Sequence, residues 1–203
     1  VNALDRCNQL KILADKSGGV FRTADLKALG INAYGIQKLI RTNVIERIKP
    51  GYYSLFSAQD ELSEAAQIAL LFPDGVLCMY TALFYYQYSD RTPLAWNIAI
   101  DKDTSKSRFK SGYPHVQPYY LEPALLTFGV TTAEYEDCTL KIFDRDRLVC
   151  ECIFYENKMD RETYYKAIQS YISDPKKNIS NLLLYAEKRK ILKKVRDRIG
   201  IWL

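Results

Sequence analysis

TADLKALGINAYGIQKLIRTNVIERIKPGYYSL, residues 23–55, is the stretch whose reading decides the fold. Thr23 is placed to cap a short helix with Asp25 in its first turn, where an acid favours the helix dipole. Leu26 and Leu29 give that helix a core face, and Gly30 ends it at the position that tolerates a left-handed residue. Asn32 caps the next helix, residues 33–42. There Ile36, Leu39 and Ile40 form a buried stripe, while Tyr34, Gln37, Lys38 and Arg41 face outward. Two helices joined by a Gly-containing turn, the second basic on its outer face, predict a helix-turn-helix. Residues 44–55 then read as a hairpin, the wing. Pro50 presets the first central residue of a type II turn and Gly51 supplies the positive φ of the second.

On the N-terminal side, Leu4, Cys7, Leu10 and Ala14 recur at three- and four-residue steps and predict a helix over residues 4–15. Lys16-Ser17-Gly18-Gly19 ends it, and Val20-Phe21-Arg22 is a short extended piece. On the other side a domain boundary is expected at residues 56–59, because Ser57 can cap a new helix over 58–72 and the charge balance changes sign there. The organisation is therefore a winged helix-turn-helix in residues 1–56 and a second domain in residues 57–203.

A helix over residues 80–88 is crowded with Tyr80, Phe84, Tyr85, Tyr86 and Tyr88. Such density is expected of core or interface packing rather than of a base-stacking platform. A strand at 96–100, a mobile polar loop at 101–112 and extended segments at 116–120 and 125–128 follow. Next comes a hairpin whose arms, 130–135 and 138–142, flank Glu136-Asp137. Four helices at 144–155, 160–172, 179–187 and about 190–199 complete an α+β chain whose mixed α/β second domain ends in helices.

The net charge of +5 is unevenly distributed. Residues 1–57 hold nine Lys or Arg against four Asp or Glu, residues 58–175 eleven against eighteen, and the last 28 residues nine against two. Basic segments displace counterions from phosphate backbones, so nucleic-acid contact is expected at the ends of the chain. On the recognition helix, Gln37 can pair with adenine, Arg41 or Lys38 with guanine or phosphate, and Tyr34 with phosphate or a thymine methyl. Arg47 and Lys49 on the wing, with Arg22 and Thr23 at the start of the second helix, are expected to hold the sugar-phosphate backbone. Lys188, Arg189, Lys190, Lys193, Lys194, Arg196 and Arg198 form a candidate second basic surface for nucleic acid or protomer contact.

Cys7, Cys78, Cys138, Cys150 and Cys152 are odd in number and sit mostly in apolar runs, as buried thiols of a reducing compartment do. With His115 as the single histidine and no CxxC pair, neither a metal site nor a cofactor is expected. Asp101, Glu122 and the Asp137-to-Lys141 spacing invite comparison with metal-dependent nucleases, but the second acid just before the Lys is missing. No phosphate-cradling glycine loop and no GxSxG is present, and a binding protein is expected rather than an enzyme. The polar N-terminus predicts no signal peptide, and no apolar run approaches the roughly 20 residues of a membrane span. A cytoplasmic location is expected.

Two longer stretches carry a family resemblance: LKILADKSGGVFRTADLKALGINAYGIQKLIRTNVIERIKPGYYSL (residues 10–55) and KIFDRDRLVCECIFYENKMDRETYYKAIQSYISDPKKNISNLLLYAEKRKILKKVRDRIGIWL (residues 141–203). The second is the more specific, through Asp144-Arg145-Asp146-Arg147, Asn157-Lys158-Met159-Asp160 and Asp174-Pro175-Lys176-Lys177-Asn178. Over about half its length the chain resembles the AbiEi antitoxins of bacterial abortive-infection, type IV toxin-antitoxin systems. The resemblance implies a DNA-binding first domain that represses its own promoter at inverted repeats, with two copies expected on the operator. It further implies a second domain that opposes a nucleotidyltransferase-like toxin without a stable complex. The alternative is a stand-alone winged-helix regulator whose second domain senses a ligand in its aromatic core.

Overall fold

Left-handed residues, among them Gly30 (φ 74°), Asn43 (φ 51°) and Gly51 (φ 84°), turn the chain sharply where the N-terminal region changes direction. The computed structural model describes residues 3–56, 63–110, 113–135 and 138–200. Here α1 (Ala3–Lys16), β1 (Val20–Arg22), α2 (Thr23–Ala28), α3 (Ala33–Arg41), β2 (Ile45–Lys49) and β3 (Tyr52–Leu55) follow one another. After α2, Gly30 N–H donates to the Lys27 carbonyl and Ile31 N–H to that of Leu26, the paired bonds that satisfy a helix C-terminus. Asn43 N–H and Val44 N–H do the same for Ile40 and Leu39 at the end of α3. Pro50 and Gly51 make the expected two-residue turn between β2 and β3, which pair antiparallel, with β1 on the far side of β3.

The chain divides into two compact units, Val1–Pro73 with Lys106–Pro114, and Asp74–Ser105 with His115–Leu203. The core of the first unit is Leu10, Ala14, Phe21, Leu26, Ile31, Ile36, Ile45 and Tyr53. Burying one such aliphatic side chain is worth about 1.5–3 kcal/mol, so these few residues bind three helices to the sheet. α4 (Glu64–Leu71) belongs to this unit and is capped by Ser63, whose Oγ accepts from Ala66 N–H at 3.1 Å. The expected cap at Ser57 lies outside the described residues. The expected loop at 101–112 contains a 3-10 turn, Lys106–Phe109, and Phe109 stacks on Phe72 with ring centres 5.3 Å apart. Over residues 106–109 the segment is therefore ordered into a turn and packed by a ring, where composition suggests an open polar loop.

The second unit is a mixed sheet in the order β6-β5-β4-β8-β7, formed by β4 (Val76–Leu77), β5 (Trp96–Asp101), β6 (Val116–Leu121), β7 (Val130–Tyr135) and β8 (Cys138–Phe143). β4 is two residues long and central, parallel to β8 and antiparallel to β5. Nothing in its sequence marks it, because two apolar residues carry no period. α5 (Met79–Tyr85) follows it directly. Residues 123–126 form a 3-10 turn with Pro123 in its first position, where an extended segment reaching 128 was expected. Proline fixes φ near the helical value, and this outweighs the apolar run behind it.

α6 (Arg145–Phe154), α7 (Arg161–Ser173), α8 (Ile179–Lys188) and α9 (Leu192–Ile199) follow. Among the described residues no helix is long and apolar enough to cross a membrane.

The Asp144-Arg145-Asp146-Arg147 run organises these helices. Asp144 caps α6 through Arg147 N–H at 2.7 Å and accepts the Tyr185 hydroxyl from α8 at 2.9 Å. Arg145 Nε donates to Asp174 Oδ2 at 2.9 Å, and the Tyr88 hydroxyl donates to the same oxygen at 2.6 Å. Asp146 accepts from the Tyr171 hydroxyl at 2.7 Å and from Asn178 N–H at 2.8 Å. Arg147 is fully buried between the rings of Phe128 and Phe143, 4.1 and 4.5 Å from their centres.

Its partner is Glu151, one helical turn on, 2.9 Å from Nε and 2.8 Å from Nη2. Arg189 completes a clasp on Glu151 through Nε at 2.9 Å and Nη2 at 3.0 Å. Gly129, at φ 63°, passes so close that a Cβ there would lie 2.6 Å from Arg147 Cβ.

Removing the charge of Glu151 would leave two guanidiniums buried around a neutral amide. Glu151→Gln is expected to destabilise the chain by roughly 3–5 kcal/mol in chemical denaturation. Asp174 gives a pH signature. Burial works against its charge, but the Tyr88 hydroxyl, Lys176 N–H and Arg145 together hold its carboxyl below the usual value of 3.8. The stability it contributes is full above that unfolded-state value and is lost as pH falls through the lower folded value. Denaturation midpoints measured below about pH 4 should therefore fall less steeply in Asp174→Asn than in the parent.

Candidate nucleic-acid interface

α3 is capped at its start and packed on one face, which leaves the other face outward. Asn32 Oδ1 accepts from Gly35 N–H at 2.9 Å, and Ile36 is buried while Leu39 and Ile40 are half-buried. Gly35 permits close packing, since a Cβ there would meet Ile31 Cγ2 at 2.9 Å. The opposite face carries Tyr34, Gln37, Lys38 and Arg41, all exposed, Tyr34 at 77%. Their spacing of three, one and three residues puts them on one stripe of the helix. None of the four side chains is engaged by another described residue, so the stripe keeps its full donor and cation capacity.

The wing distributes its cations unequally. Arg47 is exposed, but Lys49 is buried at 4%. In a regular strand residues 47 and 49 would share a face, which is why both were expected outside. The register slips between them: Arg47 lies opposite Tyr53 and Lys49 opposite Tyr52, so Ile48 is an extra residue on its strand. A bulge of this kind re-aims the side chain that follows it. Lys49 Nζ donates to the Leu71 carbonyl at 3.2 Å, at the last turn of α4, and lies 4.5 and 4.3 Å from the ring centres of Tyr52 and Phe72. Lys49 is a bolt inside the unit, not a phosphate contact.

Arg108, which sequence reasoning does not single out, joins the same carbonyl through Nη2 at 2.9 Å, its guanidinium 5.1 Å from the Phe72 ring centre. No local pattern marks it, because its partners lie more than thirty residues away.

Arg22 is exposed at the entry to α2, its backbone N–H bonded to Asp25 Oδ2 at 2.7 Å and its guanidinium 5.7 Å from the Tyr52 ring centre. Thr23 was expected to cap α2. Instead it is the first helical residue and spends both backbone N–H and hydroxyl on the Gly51 carbonyl, at 2.9 and 3.4 Å. It ties the wing turn to the helix.

The candidate second basic surface, in the other unit, is also divided. Arg189 turns inward to Glu151 and covers the Phe154 ring at 3.8 Å. Lys194 and Arg198 hold Glu156 at 3.1 and 2.8 Å. Lys188 lies 4.8 Å over the Phe128 ring centre. Lys190, Lys193 and Arg196 are exposed.

Burial raises the Cys150 thiol to about 12 and also pushes Cys78 and Cys152 up, which disfavours the thiolate at all three. Asp101 accepts from Asp103 N–H at 2.9 Å and Glu122 pairs with Lys102 at 3.1 Å, while Asp137 lies outside the described residues. Among the described residues no three His, Cys, Asp or Glu gather as a metal site would require.

Lys49→Met, which keeps the stem and removes the ammonium, is expected to lower stability by about 1–2 kcal/mol. Arg47→Ala should change it by less than about 0.5 kcal/mol. Equilibrium denaturation of the two variants beside the parent separates the bolt from the exposed cation.

Residues 8–55, which span α3 and the wing, match the family model described as transcriptional regulator, AbiEi antitoxin. This bears out the family resemblance over the first unit's helix-turn-helix and wing. No curated protein matches the chain significantly.

Proposed function

We propose that this protein is the antitoxin and autorepressor of an abortive-infection toxin-antitoxin pair and acts in the cytoplasm. The observation that carries the reading is the unengaged stripe Tyr34, Gln37, Lys38 and Arg41, on a segment matched by the AbiEi antitoxin regulators. α3 enters the major groove of promoter DNA, with Gln37, Lys38 and Arg41 reaching base edges and Tyr34 a phosphate or a thymine methyl. Arg47 and Arg22 hold the backbone on either side. One such module covers little DNA, so two copies occupy an inverted repeat. The second unit opposes a nucleotidyltransferase-like toxin encoded beside it, without a stable complex between the two.

A folded Lys38→Ala/Arg41→Ala variant is expected to lose about 1–3 kcal/mol of operator affinity for each base contact removed. Arg47→Ala should weaken binding to every sequence alike and make its salt dependence shallower. Unchanged gel-shift affinity in the double variant overturns the DNA assignment. Co-expression of the full chain with the adjacent toxin is expected to restore growth, and continued toxicity overturns the antitoxin assignment while leaving the DNA assignment standing.

A further inference from the structure

α5 ends on a residue poorly suited to its backbone. Tyr88 N–H donates to the Leu83 carbonyl and Gln87 N–H to that of Phe84, the two bonds that close a helix C-terminus around a left-handed residue. The equivalent position holds glycine after α2, Asn43 after α3 and Lys190 after α8. Here it holds Gln87 at φ 60°, where a side chain is strained. The Gln87 side chain is exposed, unengaged by any other described residue, and forms part of the wall of a cleft. A strained residue whose side chain faces a cleft points to a use for that side chain.

The cleft lies within the second unit, has a volume of about 510 Å³ and is lined by Phe84, Tyr85, Gln87, Ser89, Asp90, Tyr135 and Lys166. Small-molecule sites commonly measure about 300–1,000 Å³. Its aromatic walls are fixed before any ligand arrives. Glu134 N–H donates to the Tyr85 hydroxyl at 3.1 Å, and Tyr135 is backed by Trp96 with ring centres 5.6 Å apart. Phe84 is 44% exposed and meets no other aromatic ring among the described residues, so its face is unspent. The two charges at the rim neutralise each other, Lys166 Nζ lying 2.7 Å from Asp90 Oδ2. A phosphate would have to take Lys166 from Asp90 and then sit beside that carboxylate.

We propose that this cleft binds a neutral, planar nitrogen heterocycle of nucleobase or nucleoside size, stacked on Phe84, Tyr85 and Tyr135, with the Gln87 amide reading its edge. Flat aromatic faces select a planar ligand, a free amide selects one with donors and acceptors on its edge, and the closed ion pair selects against net charge. The site needs neither the DNA-binding nor the antitoxin reading. It also gives α5 a role beyond packing for at least one of its aromatics.

The test is calorimetric titration of the full chain with adenosine, guanosine, cytidine and uridine, and with the matching 5′-monophosphates. Emission is followed in a Trp202→Phe background, which leaves Trp96, behind Tyr135, as the one tryptophan. Saturable binding of at least one nucleoside with a change in Trp96 emission is expected. Phe84→Ala should weaken it about tenfold or more through loss of stacking. Gln87→Gly should weaken it about fivefold while raising the denaturation midpoint, because glycine relieves the strain. That opposite movement of affinity and stability is one a merely structural role would not produce. Absence of saturable binding for all four nucleosides overturns the proposal. So does binding that survives both substitutions, or tighter binding of the monophosphate than of its nucleoside.

Discussion

The second unit depends on one carboxylate. Glu151 is buried on α6 and takes three hydrogen bonds, from Arg147 on its own helix and from Arg189 at the end of α8. Two cations around one anion leave a net positive charge in the interior, which the π faces of Phe128, Phe143 and Phe154 surround. Such a cluster is directional in a way that an apolar core is not. Arg147 meets Glu151 because the two lie one turn apart on α6, and Arg189 reaches it only if α8 ends where it does. The close pass of Gly129 over Arg147 then fixes the turn into β7 against the same helix.

The positive charge of this protein has two uses that composition alone does not separate. On α3 the cations stand free on one stripe. On the wing and at the C-terminal helices, neighbours in sequence part company: Arg47 faces out while Lys49 grips the end of α4, and Lys190 is exposed while Arg189 is enclosed. In each pair the backbone decides. A bulge turns Lys49 inward, and the left-handed turn at Lys190 separates its side chain from that of Arg189.

What the sequence made legible follows from the range of the forces involved. The cap at Asn32, the turn at Pro50-Gly51 and the stripe of α3 are local, within four residues, and each stands where the pattern puts it. The two-residue strand β4, the bulge at Ile48 and the burial of Lys49 depend on partners far along the chain. Alternation assumes an unbroken register, so it misplaced Lys49 for a definite physical reason. The aromatics of α5 were legible as packing, but the exposed face of Phe84 was not, because density of rings says nothing about which ring lacks a neighbour. The run of Asp144 to Arg147 was conspicuous as a motif, and the structure supplies its cause: all four side chains are spent inside the fold.

The Leu71 carbonyl, held by Lys49 from one side and Arg108 from the other, makes the winged-helix unit topologically discontinuous. The recognisable module ends at the wing, whereas the physical one recruits α4 and a short turn that the ribosome delivers only after the first strands of the other unit. The first unit is therefore not a single uninterrupted run of chain. The Leu71 carbonyl acquires its second donor late in synthesis, so a chain interrupted between the two segments would carry α3 and the wing but leave Arg108 out of their anchorage.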